Sequence, residues 1–118
     1  MSMRTLGCIA ALAVLSACAS KDTMLYHWGS YQDQVYEGFQ IESGNTSADK
    51  QLQKLQEEQQ KAVSKGKALP PGFMAHMGYL YFQTGQTDLA AKAFEDEKTR
   101  FPESTAYMDF ALGKLRKP

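Results

Sequence analysis

The chain has two cysteines, Cys8 and Cys18, and both lie in its first eighteen residues. Everything after Cys18 is therefore without a thiol, which excludes a disulfide, a thiolate nucleophile and a cysteine metal site there. Charge of one sign is not in excess either: 13 basic residues stand against 13 acidic ones, intermixed along the chain. A nucleic-acid partner needs a basic excess or a basic face, so none is expected. Histidine is scarce. His27 and His76 each lack a second His, a Cys or an Asp at ligand spacing on the same element, so no metal is expected. The glycines do not gather into a phosphate loop, and no serine sits in a G-x-S-x-G turn. No cofactor and no catalytic residue is expected, and the chain reads as non-enzymatic. The acidic runs Glu57-Glu58 and Glu95-Asp96-Glu97 read as solvated faces, because neighbours on a helix point in different directions. No apolar run reaches the roughly 20 residues that a spanning helix needs.

What the N-terminus does have is a short apolar run, Leu6 to Leu15, behind one basic residue, Arg4. That is signal-peptide length. It ends in Leu15-Ser16-Ala17-Cys18, which resembles a bacterial lipobox: Leu, two small residues, then Cys. An ordinary secretory signal with a coincidental cysteine is the competing reading. The resemblance implies cleavage before Cys18 and acylation of that residue on sulfur and amine, palmitate being a typical chain. Each buried CH₂ contributes about 0.8 kcal/mol, and two lipid signals already give stable anchoring. Ala19 follows Cys18 where an Asp would resemble an inner-membrane retention signal. The expected location is therefore the outer membrane, at its periplasmic face. The domain reading is 1–17 lipoprotein signal peptide, 18–25 lipidated tether and 26–118 helical domain.

The rest of the chain carries helix patterns and no strand signal. Ser30 precedes Tyr31, Val35 and Phe39, spaced i, i+4, i+8 on one face of a short helix. Gly44 and Asn45 mark a loop. Ser47 can cap a second helix with Leu52, Leu55, Ala62 and Val63 on one side and Gly66 past its end. Pro70-Pro71 opens a third helix, which ends before Gly85. Thr87 or Asp88 caps a fourth, stopped by Phe101-Pro102. Glu103-Ser104 opens a fifth, with Tyr107, Phe110, Ala111 and Leu115 as its apolar side. The expected fold class is all-α, with about five helices in one domain.

From about Pro71 to Ser104 the chain resembles one tetratricopeptide repeat. Gly78, Tyr81, Gly85, Ala90, Phe94 and Pro102 occupy the repeat's characteristic positions. Met74 and Met77 replace its usual Trp and Leu. Glu97 stands where a small residue is usual, facing a partner, a cation or water. The resemblance implies a short stack in which a degenerate helix pair and a capping helix flank one good repeat. It also implies a concave groove on the first helix of the repeat, lined by Ala75, Tyr79, Phe82 and Gln83. The competing reading covers the Tyr79 and Phe82 rings as core.

Over most of its length after Cys18 the chain resembles a family of short bacterial lipoproteins of unknown function. The residues that carry this are the "YHWGSY" segment and the hairpin ending in "FPES". Such proteins are often encoded beside a curli-secretion-like (CsgG-like) lipoprotein, which is the partner the resemblance implies. The expected function is a protein–protein interaction scaffold in an envelope or secretion complex. The alternative is a pilotin- or chaperone-like lipoprotein that ferries a secreted or outer-membrane subunit.

Overall fold

A computed structural model of the chain describes residues 23–41, 43–44 and 46–117. The expected signal peptide, Cys18 and most of the tether lie outside the described residues. Five α-helices follow one another: α1 (Tyr31–Gly38), α2 (Ala48–Ser64), α3 (Phe73–Gln83), α4 (Thr87–Arg100) and α5 (Thr105–Leu115). A 3₁₀ turn at Pro102–Ser104 leads into α5. The fold is all-α. Among the described residues the only β-type pairing is a single parallel bridge between Tyr26 and Ala68.

Local chemistry sets most helix ends. Ser47 Oγ accepts the Lys50 backbone N–H at 3.2 Å, which caps α2. Gly66 ends that helix with φ +62°. The Lys67 and Gly66 N–H groups donate to the carbonyls of Ala62 and Val63, the paired bonds of a Schellman end. Gly85 repeats the device after α3, with Gln86 and Gly85 donating to Tyr81 and Phe82. α4 starts at Thr87 with Gln86 before it and no side-chain cap, so neither Thr87 nor Asp88 caps it as expected.

The start of α3 is capped from outside. Pro70 and Pro71 precede Gly72, whose φ of +90° favours glycine. Gly72 has no side chain to cap with, and its N–H donates instead to Glu97 Oε1 of α4 at 2.6 Å. Glu97 is 3% exposed. It is buried rather than turned to water: Oε1 holds the helix N-terminus, where a carboxylate is favoured, and Oε2 is buried without a hydrogen-bond partner.

Consecutive helices pack on one another, α3 and α4 most extensively. These two run antiparallel: Gly72 meets Glu97, and Gly78 lies so close to the Phe94 ring that a Cβ there would clash with it. The core has two parts. Tyr31, Leu52, Leu55, Phe73, Met77 and Leu80 lead the larger one, between α1, α2 and α3. Ala90, Phe94, Met108 and Leu112 form the smaller, between α4 and α5.

Three expected faces turn out differently. On α1 the inward row is Tyr31, Gln34 and Gly38, with Phe39 exposed. Gly38 lets His76 and Gln51 approach, and Gln51 Nε2 donates to the Gln34 carbonyl at 2.6 Å. On α2, Val63 is exposed while Gln51 and Glu58 are buried with Leu52, Leu55 and Ala62. On α5 the buried pair is Met108 and Leu112, with Ala111 and Leu115 at its edge. Tyr107 and Phe110 are exposed.

Glu58 belongs to no solvated face. Its carboxylate accepts from His27 Nε2 at 2.7 Å, Ser30 Oγ at 3.2 Å and Lys61 Nζ at 3.0 Å. Burial alone would raise its pKa. The bonds from Lys61, His27 and Ser30 outweigh burial and hold it below the usual carboxylate value. The His27 N–H donates to the Ala68 carbonyl at 2.8 Å, and the Tyr26 ring packs edge-on against Phe101 at 6.0 Å. The chain before α1 is thus strapped across the α2–α3 loop and the end of α4.

Candidate functional site

The alternate helices α1, α3 and α5 line a groove of about 620 Å³. α1 contributes Tyr31, Val35 and Gly38, and Phe39 follows at its end. Along α3 the lining runs from Gly72 through Ala75, His76 and Tyr79 to Gln83. Phe94 forms part of the lining, and Tyr107 and Ala111 come from α5. A smaller recess of about 210 Å³ shares Tyr79, Phe94, Tyr107 and Ala111 and adds Phe82, Phe110, Lys114 and Leu115.

Of the four residues expected at a groove, Ala75, Tyr79 and Gln83 line it, and Phe82 lines the recess. Ala75, Tyr79 and Gln83 lie at i, i+4 and i+8 on α3, one face of the helix. Phe82 flanks them and faces the recess. Tyr79 is 51% exposed and Phe82 is 50% exposed, so neither ring is covered as core. Gln83 Nε2 donates to the Tyr79 hydroxyl at 3.0 Å, which ties the ring's polar end to the helix and leaves its faces open.

Sequence reasoning missed several of the lining residues. Phe39, Tyr107 and Phe110 carry the same apolar signal as core aromatics, and period alone does not separate an inner stripe from a groove stripe. Only the pairing of α1 with α2 and of α5 with α4 turns them outward. Tyr107 and Phe110 lie 6.4 Å apart, and Lys114 Nζ sits 5.1 Å from the Phe110 ring centre, within cation–π range. Among the described residues that ammonium is the only ordinary charge on the lining of groove or recess.

His76, expected to bind no metal, lines the groove. Its Nε2 is buried without a hydrogen-bond partner, and burial lowers its pKa from the ordinary imidazole value. The Tyr31 ring stands edge-on to it at 6.3 Å. Burial, and then the nearby Glu97 carboxylate, raise the pKa of the Tyr31 phenol. Both groups are therefore neutral at pH 7, and the groove is an aromatic, nearly uncharged surface. Such a surface is suited to taking up apolar side chains of another molecule.

Among the described residues, no three His, Cys, Asp or Glu side chains converge at metal-binding distance. No described helix is long and apolar enough to cross a membrane. A family model with the description "Domain of unknown function (DUF4810)" matches residues 25–111. No curated protein and no solved structure matches the chain.

Proposed function

The chain belongs to the DUF4810 family, and from that premise we propose a non-enzymatic, lipid-anchored envelope protein that docks another protein in its groove. The observation that carries this reading is the half-exposed aromatic row. Tyr79 and Phe82 on α3 continue into Phe39 on one side and into Tyr107 and Phe110 on the other. Aromatic side chains are the commonest anchors of protein interfaces.

The tetratricopeptide-like reading of the hairpin supports the same function. In such stacks alternate helices line the concave face, and here α1, α3 and α5 do so. Gly78 seated on Phe94 matches the close approach that the repeat requires. The lipobox-like Leu15-Ser16-Ala17-Cys18 supports an anchor on Cys18 and, with Ala19 after it, an outer-membrane location. The partner that follows from the lipoprotein resemblance is a CsgG-like lipoprotein of the same membrane.

The test is a Tyr79→Ala, Phe82→Ala double variant, purified with its lipid from mildly solubilised membranes. We expect the stoichiometric partner seen with the unaltered protein to disappear while the helical circular dichroism is retained. Truncating two interface anchors costs roughly 2 to 4 kcal/mol of binding. A folded variant that still retains the partner would end the groove reading.

A further inference from the structure

Met24 and Leu25 contrast with the strap that follows them. Met24 is 58% exposed and Leu25 is 72% exposed. Directly after them Tyr26 bridges to Ala68 and packs on Phe101, and His27 is held by the Ala68 carbonyl and by Glu58. The exposed pair therefore sits at a fixed place, the end of the bundle where α2 and α4 finish and α3 and α5 begin.

We propose that this end is a membrane-contacting foot, in which Met24 and Leu25 enter the headgroup–acyl boundary of a phospholipid bilayer. The inference rests on the lipid anchor at Cys18 proposed above. The seven steps of chain from Cys18 to Leu25 reach about 24 Å even when fully extended. The 17-residue helix α2 is itself about 25 Å long. The bundle is thus held within about its own length of the surface, and the strapped end is the part that meets it. Two adjacent exposed apolar side chains at that end are what such a boundary takes up. Lys65 and Arg100 at the ends of α2 and α4, and Glu103 in the turn before α5, are exposed at this end, level with the headgroups.

The strap turns this contact into an orientation. The groove follows α3 from Gly72, near the foot, to Gln83 at the far end. With the foot on lipid, the groove opens sideways, towards a partner anchored in the same membrane rather than one arriving from above.

A single tryptophan placed at the foot tests this. The lipidated protein carrying Leu25→Trp with Trp28→Phe is reconstituted into phosphatidylethanolamine–phosphatidylglycerol vesicles containing brominated phosphatidylcholine. A second form carries ten added Gly and Ser residues after Ser20. The foot predicts at least about a twofold loss of the introduced tryptophan's fluorescence in both forms. Quenching that vanishes with the longer tether, or that is absent from both forms, overturns the foot while leaving the anchor intact. Intact mass checks the anchor separately. A protein purified without acyl chains on Cys18 overturns the anchor and the foot together.

Discussion

The α3–α4 hairpin and the α1–α2 half are neighbours, yet different chemistry holds each. The hairpin closes mainly on apolar contact: Gly78 admits the Phe94 ring, which clusters with Ala90, while Met77 and Ala93 join the larger part of the core. The N-terminal half buries Gln34, Gln51, His27 and Glu58; His27 bonds Glu58 and Gln51 Nε2 bonds the Gln34 backbone carbonyl, while the side-chain oxygens of Gln34 and Gln51 are buried without a partner. Apolar packing is proportional to area and tolerates neighbours of similar shape, whereas buried polar groups demand specific partners. The hairpin is therefore set by a compact motif, and the N-terminal half is specified by a few long-range hydrogen bonds.

The sharpest way to break that contrast is to remove one keystone from each side. Phe94→Ala should cost about 3 to 5 kcal/mol, since it empties the contact between α3, α4 and α5. Urea unfolding measures this. Glu58→Ala should cost less, roughly 1 to 3 kcal/mol, by leaving His27 buried without its partner. The Lys61 contact adds little because that ammonium is largely exposed. The second variant should also free the residues before α1, read as faster hydrogen exchange at His27 with the α3–α4 hairpin unchanged.

Acid should sharpen the contrast further. His76 has a folded pKa below the ordinary imidazole value, so the unfolded chain binds its proton more readily. Stability contributed by neutral, buried His76 is present above about pH 6.5 and falls as pH drops through that value. His76→Gln should flatten this part of the stability–pH curve. The Glu58 contribution has a different window. Its folded pKa is depressed, so its stabilisation is complete above about pH 4.3 and is lost as pH falls further. Thermal melts from pH 8 to pH 3 separate the two.

The smallest effect is expected at the exposed apolar residue on the back of the molecule. Val63→Ser should change stability by no more than about 0.5 kcal/mol, although its spacing places it beside Leu52, Leu55 and Ala62.

How far the sequence reveals each half follows the same division. Ser47, Gly66 and Gly85 were legible as helix ends because capping acts over a few residues. Ala75, Tyr79 and Gln83 were legible as one helix face because their spacing of four residues sets it, and Phe82 beside them because it lies one turn from Tyr79. The pairing of His27 with Glu58 spans 31 positions, and nothing local to either residue announces it. Glu97 looked out of place for a related reason, since its function is to cap a helix whose leading glycine lies 25 positions earlier. Phe39, Tyr107 and Phe110 read as core because apolar period reports an inward stripe and a groove stripe alike.

The most direct measurement is site-specific photocrosslinking in cells. A benzophenone side chain replaces Phe82 in the recess or Val63 on the back of α2, two exposed apolar positions on different faces. Docking in the groove predicts one discrete crosslinked partner from position 82 and none from position 63. Equal crosslinking from both positions, or crosslinking from position 63 alone, would contradict it.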